Sequence, residues 1–255
     1  MKARRCAGLL LFRILCYQMN MEEDPFRTIL SKIYLLYYKS KINLSEAHLF
    51  RTPKGYTQKF QIEIPFKCDL DILDYLIGHR SPVYGSLSRK AWMLFVIEIS
   101  KILSKSNNDA FAIRKFHNSL ANKNIKADIS LDCFKPILGL IDADDERTVI
   151  GRLRILRNKY YAHEDAKVNR LTDRLFPTYN DVWELMDLLE EFLIAMYSQL
   201  DTHVDLEVER HLHKYLREFK RTYQYFKTID DEFETYFIKR KFGDEKYERY
   251  MNSIE

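Results

Sequence analysis

Apolar residues recur at intervals of three and four along most of the chain, and this period predicts α-helices rather than strands. The predicted helices cover residues 24–40 and, after a break, 44–50, then 69–79, 88–104, 108–123, 130–140, 147–165, 178–196, 207–226 and the charged tail 231–255. Residues 88–104 are apolar on nearly every face, which is typical of a helix at the centre of a bundle. Residues 60–64 alternate as a strand would, and they form either an extended linker or a lone β-segment. The pattern therefore predicts an all-α protein.

The same pattern predicts how the chain is divided. Residues 1–66 form an N-terminal helical segment and an extended linker, residues 67–202 form a helical bundle, and residues 203–255 form a C-terminal helical extension. The low counts of 7 glycines and 6 prolines argue against a loop-rich or all-β fold. A hydrophobic share of 46% is enough to bury a sizeable core.

Charge and cysteine usage exclude several classes of protein. The net charge of +4 is mild, so binding to nucleic acid would depend on a local basic patch. The four cysteines have neither the spacing of a zinc or redox motif nor that of a disulfide framework. They predict a reducing, cytoplasmic setting. No apolar run approaches the roughly 20 residues that a membrane span needs, so we expect no membrane partner.

The first 20 residues loosely imitate a secretion signal. Arg13 interrupts their apolar part, and no small-residue cleavage site follows. Secretion is therefore disfavoured. The alternative is a start codon placed too early, with Met19 or Met21 as the true start.

The stretch that carries the most chemistry is residues 147–165, which the pattern predicts to be one helix. Acidic residues precede it, where the exposed N–H groups of a helix start carry partial positive charge. Its side chains form an apolar stripe of Val149, Leu153, Leu156 and Tyr160 beside a polar stripe of Arg154, Arg157 and Tyr161. Near the helix end, Arg157 and Asn158 are followed after four residues by His163. A cation, an amide and an imidazole therefore lie in one short segment.

The spacing of Arg157 and His163 carries little information by itself. With seven histidines in the chain, an Arg followed four to six residues later by a His is expected roughly 1.6 times by chance. The context adds weight, because the pair lies near the end of an amphipathic helix and Asn158 follows the Arg directly. A strongly apolar helix upstream and a long amphipathic helix downstream complete that context.

With this context, residues 69–200 resemble the HEPN superfamily, whose name stands for higher eukaryotes and prokaryotes nucleotide-binding. Arg157, Asn158 and His163 are similar to its motif of an Arg, a polar residue and a spaced His, and the run on to Asp165 is similar to the abortive-infection, AbiU-like branch. The resemblance implies a four- or five-helix bundle, usually dimeric. It implies a metal-independent endoribonuclease of toxin or phage-defence type that needs no cofactor. It also implies that Arg157 and His163 are catalytic and that Asn158 orients them.

The chemistry of RNA cleavage fits these residue types. Without a metal, the neighbouring 2′-hydroxyl attacks phosphorus, so one group must move a proton and another must stabilise the added negative charge. A His titrates near neutral pH and can do the first, and an Arg is a fixed cation with several N–H donors and can do the second. Each task is typically worth about 10²–10⁴-fold in rate. Arg154, Lys159 and Tyr161 flank the pair and are candidates to bind the substrate.

In a regular α-helix Arg157 and His163 would not converge on one phosphate. Six positions rotate a side chain by about 600°, which leaves the two roughly 120° apart. Either the helix distorts near residues 160–163, or two copies of the chain face each other and each supplies part of the site. The second alternative predicts a homodimer through these helices, with RNA as the substrate. An antitoxin or a nucleotidyltransferase-type protein is a further candidate partner.

Other interpretations of these residues stay open. His163 could instead favour the dipole at the helix end, with Arg157 in a surface salt bridge. Glu98, in the middle of the apolar helix, is predicted to pair with a cation on a neighbouring helix. The basic face of residues 207–226 either follows an RNA backbone or is simply solvated. For the whole protein, the alternatives are a catalytically silent HEPN module that binds nucleotides or a partner, and an unrelated helical interaction protein.

Overall fold

The computed structural model describes residues 24–106, 108–143, 145–161, 176–202, 204–206, 208–228 and 232–252, with the backbone alone at 159–161, 209–211, 227–228, 232–234 and 237. In chain order, the helices are α1 (Pro25–Arg51), α2 (Pro53–Lys59), α3 (Leu70–Tyr75), α4 (Pro82–Ile102), α5 (Ile113–Ala121), α6 (Phe134–Asp142), α7 (Val149–Ile155), α8 (Tyr179–Ser198), α9 (Glu209–Thr228), α10 (Glu232–Phe242) and α11 (Asp244–Asn252). Two π-helical segments, π1 (Leu76–Arg80) and π2 (Leu156–Tyr161), follow α3 and α7. These ranges contain no strand, so the predicted all-α fold is confirmed.

The described residues divide into two compact units. The first unit takes in residues 24–37 and Glu98–Val204, and the second takes in Tyr38–Ile97 and Asp205–Glu255. The predicted domain boundaries after residues 66 and 202 stay a prediction. Within the described ranges, no helix is both long and apolar enough to cross a membrane.

The core of the first unit contains a chain of aromatic rings. Phe116 of α5 lies 5.4 Å from Phe26 of α1 and 5.8 Å from Phe134 of α6, measured between ring centroids. Phe134 in turn lies 4.9 Å from Phe192 of α8. All four side chains are at most 3% exposed. Aromatic pairs of this kind add to the stabilisation that burial alone provides, so the contacts hold together four helices that are distant in sequence.

The core of the second unit is organised around Phe50, at the end of α1. Its ring lies 4.7 Å from Tyr215 of α9 and 5.6 Å from Tyr84 of α4. The hydroxyl of Tyr215 donates a hydrogen bond of 2.6 Å to Glu46 Oε1. The apolar stripe of α9 is therefore packed within this unit, while its basic residues Lys214, Arg217, Lys220 and Arg221 are exposed.

The predicted break after Ser40 is wrong, because α1 runs without interruption from Pro25 to Arg51. Lys41, in the middle of this helix, is only 9% exposed. Its Nζ donates a hydrogen bond of 2.9 Å to the carbonyl oxygen of Leu206. A buried cation in the helix is thus satisfied by a partner that is distant in sequence, and the local pattern of residues does not reveal that partner.

Two prolines are helix starts. Pro53 begins α2 between the predicted helices 44–50 and 69–79, and Pro82 begins α4 well before the predicted start at residue 88. Proline favours the first helical position, because no intrahelical N–H is needed there. The alternating residues 60–64 form no strand. Gln61 has a φ of 52°, and the N–H of Ile62 donates to the carbonyl oxygen of Thr57 at the end of α2.

Candidate functional site

The segment with the Arg–Asn–His motif begins at α7, and side-chain caps set its first residue. Thr148 Oγ1 accepts a hydrogen bond of 3.1 Å from the N–H of Gly151, and Asp145 Oδ1 accepts one of 2.8 Å from the N–H of Arg147. These contacts start the helix at Val149, whereas the pattern of apolar residues predicted a start at residue 147. The acidic approach to the helix therefore acts through a specific cap as well as through the helix dipole.

Gly151 allows the preceding loop to pack directly on α7. A Cβ atom at this position would lie 2.1 Å from the carbonyl oxygen of Asp145, which is far inside van der Waals contact. No side chain larger than hydrogen fits there without a backbone shift. The close approach holds the start of the motif segment in one position relative to its loop.

The predicted single regular helix is wrong at Leu156, where α7 changes into the π-helical segment π2. In a π-helix the backbone bonds join residues five apart instead of four, and such segments are often found at functional sites. Leu153 and Leu156 are at most 1% exposed, so the predicted apolar stripe is confirmed at these two positions. The sequence predicted a distortion near residues 160–163 as one alternative; the structure has a distortion over Leu156–Tyr161, and residues 162 and 163 lie outside the described part of the chain.

A cavity of about 220 Å³ lies beside this distortion, within the first unit. One wall comes from α7 and π2 and the other from the end of α4 and the turn after it. The lining residues are Ser100, Leu103, Ser104, Lys105, Ser106, Ile150, Leu153, Arg154, Arg157 and Asn158. Arg154 and Arg157 are half-buried and Asn158 is exposed. The cavity therefore brings together three of the residues that the sequence predicted.

The opposite wall was missed in the sequence analysis. Ser104 Oγ accepts a hydrogen bond of 3.0 Å from the N–H of Ser106, and Ser106 Oγ accepts one of 3.2 Å from the N–H of Asn108. These bonds shape the turn that follows α4. Lys105 lies in the same turn, and its Nζ is 3.5 Å from the carbonyl oxygen of Asp142. A polar Ser–Lys–Ser run directly after an apolar helix is the signal in the sequence that could have identified this wall.

The electrostatic character of the cavity is positive. Three cationic side chains, Lys105, Arg154 and Arg157, line it, and no carboxylate is among the lining residues. Asn158 and the three serines add neutral donors and acceptors, and the apolar side chains form a floor. A guanidinium offers several N–H donors in a fixed plane that matches phosphate oxygens. The arrangement is chemically suited to an anionic ligand with an attached apolar or ring-shaped part.

An ion pair fixes α7 against the start of α8. Arg152 Nη2 lies 3.3 Å from Asp181 Oδ2, and the same carboxylate oxygen accepts a hydrogen bond of 3.0 Å from the N–H of Thr178. The side chain of Thr178 accepts a hydrogen bond from the N–H of Asp181, which completes a capping box at the start of α8. Hydrogen bonds from Thr178, with help from Arg152, lower the pKa of Asp181. The carboxylate therefore positions the helix from which π2 continues.

The remaining predicted site residues are described only in part or not at all. Lys159 and Tyr161 belong to the backbone of π2, but their side chains lie outside the described part of the chain, as does that of Tyr160. His163 and Asp165 lie outside the described residues altogether. Their roles, and the pairing of two chains at the site, stay predictions. Among the described side chains, no group of three or more His, Cys, Asp or Glu could hold a metal ion.

Comparison with known proteins covers the whole of this cavity. A family model described as HEPN_AbiU2 (AbiU2) matches residues 96–231, which is just over half of the 255-residue chain. The matched range includes every residue that lines the cavity. No curated protein and no solved structure matches the chain.

Proposed function

The chain belongs to the HEPN AbiU2 family, and on that premise we propose that it is a metal-independent endoribonuclease of toxin or phage-defence type. Its substrate is single-stranded RNA, cut by attack of the 2′-hydroxyl on the neighbouring phosphorus. The observation that carries the proposal is the cavity in which Arg154, Arg157 and Asn158 face Lys105 and three serines. This lining has the charge and hydrogen-bonding groups that a phosphodiester requires.

Each residue type has a defined role in the proposed reaction. His163 removes the proton from the 2′-hydroxyl, the oxygen forms a bond to phosphorus, and the bond from phosphorus to the 5′-oxygen breaks. A protonated His then returns a proton to that leaving oxygen, which gives a 2′,3′-cyclic phosphate and a free 5′-hydroxyl. Arg157 stabilises the extra negative charge on the phosphorane, and Asn158 orients the reacting groups. Arg154, Lys159 and Tyr161 bind the neighbouring parts of the strand.

We further propose that the complete site is assembled from two chains. Arg157 of one chain acts with His163 of its partner, an arrangement supported by the frequent dimerisation of HEPN domains. Activity then requires a homodimer through these segments. A separate antitoxin or nucleotidyltransferase-type protein is a candidate regulator of the same site.

Cleavage by the purified protein in excess EDTA tests the proposal. We expect cutting of single-stranded RNA, no cutting of an all-deoxy strand of the same sequence, and loss of cutting in His163→Ala. His213→Ala is the matched control, because His213 is exposed and lies outside the cavity. Retained cutting by His163→Ala, or a requirement for Mg²⁺, would contradict the mechanism. Dimerisation without any cutting would favour the catalytically silent module.

Mixing two inactive variants tests the composite site. Arg157→Gln and His163→Ala each disable both sites of their own homodimer. In a mixed dimer, one site combines the intact Arg157 of one chain with the intact His163 of the other. An equal mixture of the two variants should therefore recover about a quarter of wild-type activity, since half of the dimers hold one intact site. A mixture as inactive as its components would place Arg157 and His163 of one chain in the same site.

A further inference from the structure

The second unit contains its own π-helical segment, π1, with a different set of charges around it. Asp69 caps α3 by accepting hydrogen bonds from the N–H groups of Asp71 and Ile72, and π1 follows directly. Pro82 forces the segment to end, because the residue before a proline is restricted to extended backbone. Within π1, Leu76 and Ile77 are fully buried, whereas His79 is exposed.

Two helices, α1 and α10, bring positively charged groups to π1, which itself contains the titratable His79. Arg51, the last residue of α1, donates a hydrogen bond of 3.3 Å from Nη1 to the carbonyl oxygen of Gly78. Lys241 of α10 places its Nζ 4.3 Å from the ring centroid of Tyr75. The same ring lies 6.5 Å from the imidazole of His79. Arg51, His79 and Lys241 are all exposed, and the contacts through Gly78 and Tyr75 bring them to the same segment.

Some cationic side chains of this region form ion pairs with carboxylates and others do not. Lys54 and Lys246 both form ion pairs with Asp71. Arg51, His79 and Lys241 form no ion pair with any described side chain. Burial, then Arg51 and Lys241, lower the pKa of His79, while Asp74 acts in the opposite direction. A positive potential is therefore concentrated beside π1.

Asp74 is the carboxylate that could cancel this potential, and its surroundings limit that effect. It is half-buried and accepts a hydrogen bond of 3.0 Å from the N–H of Lys54. Burial raises the pKa of this carboxyl group. The ammonium group of Lys54 forms an ion pair with Asp71 instead. The local balance thus leaves Arg51 and Lys241 as uncompensated cations.

We propose that Arg51, His79 and Lys241 form a phosphate-binding site on the second unit. Its ligand is a phosphate group, carried by a nucleic-acid strand or present as free phosphate. Arg51 uses one of its five N–H donors to bind Gly78, so others are available for the phosphate oxygens. The imidazole of His79 supplies a further N–H, and Lys241 supplies an ammonium group with three donors. The site is separate from the proposed cleavage site and does not depend on cleavage.

Binding is measured on the full chain with two probes. Inorganic phosphate at millimolar concentration is followed through the imidazole NMR signals of His79, which His79→Gln assigns. An all-deoxy oligonucleotide of about ten nucleotides, which resists 2′-hydroxyl cleavage, is followed by fluorescence anisotropy over a range of salt. The test variant is Arg51→Gln with Lys241→Gln. The control is Arg89→Gln with Lys90→Gln, which removes the same charge from exposed positions of the same unit.

We expect phosphate to shift the His79 signals in the wild type and the control but not in the test variant. Oligonucleotide affinity should fall about tenfold in the test variant, and the salt dependence should lose about one unit of slope. If phosphate shifts His79 while oligonucleotide affinity is unchanged, the ligand is free phosphate. Unmoved His79 signals with both probes overturn the proposal, as does equal weakening by the control. If melting shows that the double variant is unfolded, Lys241→Gln alone provides the same comparison.

Discussion

The two π-helical segments have similar local structure and different surroundings. Each follows a short helix, α3 for π1 and α7 for π2, and each lies in a different unit. Each is also associated with a glycine against which another backbone segment packs. A Cβ on Gly78 would lie 2.1 Å from the carbonyl oxygen of Arg51, and one on Gly151 would lie 2.1 Å from that of Asp145.

What packs around each segment differs. The carbonyl of Gly78 in π1 accepts a hydrogen bond from Arg51, and the segment stops at Ser81 before Pro82. In the sequence no proline follows π2 directly, and its Arg157 and Asn158 line a cavity. A π-helical segment alone therefore does not determine whether a cavity lies beside it. The neighbouring elements decide whether its polar groups face a cavity or an exposed cationic surface.

The largest expected effect is a difference in RNA cleavage rate between variants that lack an arginine of π2 and an arginine of π1. Arg157→Gln should lower RNA cleavage by about 10²–10³-fold, because it removes the cation proposed to stabilise the phosphorane. Arg80→Gln, in π1, should change the rate by less than about threefold, since Arg80 does not line the cavity. Single-turnover rates measure both, and melting curves verify that each variant is folded. Comparable losses from the two substitutions would show that the difference in surroundings is not functional.

Replacing either glycine with alanine should lower stability by a similar amount, but only one of the two substitutions should affect RNA cleavage. Gly78→Ala and Gly151→Ala should each cost about 2–4 kcal/mol in unfolding free energy, because the new methyl group meets a backbone carbonyl. Only Gly151→Ala should also impair RNA cleavage among the folded molecules, since α7 carries the motif. Urea unfolding and cleavage rates provide the two measurements.

Matched controls for the glycines exist in both units. Gly85 in the second unit and Gly139 in the first are helical, and a Cβ at either would meet no atom within 4 Å. Alanine at these positions should be neutral or stabilise by up to about 1 kcal/mol, through its better helix propensity. If all four substitutions have the same effect, the close approaches are not what requires glycine at positions 78 and 151.

The smallest expected effect concerns stability: substitutions of Asp181 and Asp74 should change the unfolding free energy in opposite directions as the pH falls. The lowered pKa of Asp181 means that its charged form stabilises the fold, and this contribution is lost as the pH falls through a value below 3.8. Asp181→Asn should therefore cost about 1 kcal/mol at neutral pH, as loss of a helix cap does, and progressively less as the pH falls below 3.8. The raised pKa of Asp74 has the reverse sign, because burial disfavours its charged form.

Asp74→Asn should accordingly be slightly more stable than wild type at neutral pH. That advantage should disappear as the pH falls below 3.8, where the wild-type carboxyl is protonated in both the folded and unfolded states. Urea midpoints over a pH series compare the two variants. Parallel pH dependence of Asp74→Asn and Asp181→Asn would refute the opposite assignments.

Much of the fold could be predicted from the period of apolar residues. The stripe of α9 places Leu212, Leu216 and Phe219 in the core, and the Thr178–Asp181 cap marks the start of α8. The helix predictions were wrong where a contact with a residue distant in sequence overrides the secondary structure that the local residues favour. The buried ammonium group of Lys41 in α1, for example, donates a hydrogen bond to the carbonyl oxygen of Leu206.

The candidate site could be predicted only on one side. Arg154, Arg157 and Asn158 were found because they are close in sequence and a family motif includes two of them. The facing turn of Ser104, Lys105 and Ser106 lies about 50 residues upstream. Its contact with the motif depends on how α4 packs against α7, and spacing along the chain contains no information about that packing.

The sequence by itself determined the helical period, the helix caps and the Arg–Asn–His motif, because these depend on residues within a few positions of one another. It also determined the family, through the motif and its helical context. Only the tertiary structure decided that the motif helix becomes π-helical at Leu156 and that a Ser–Lys–Ser turn completes the cavity. The physical reason is that the cavity depends on packing between segments about 50 residues apart, with the end of α4 and its turn on one side and α7 with π2 on the other.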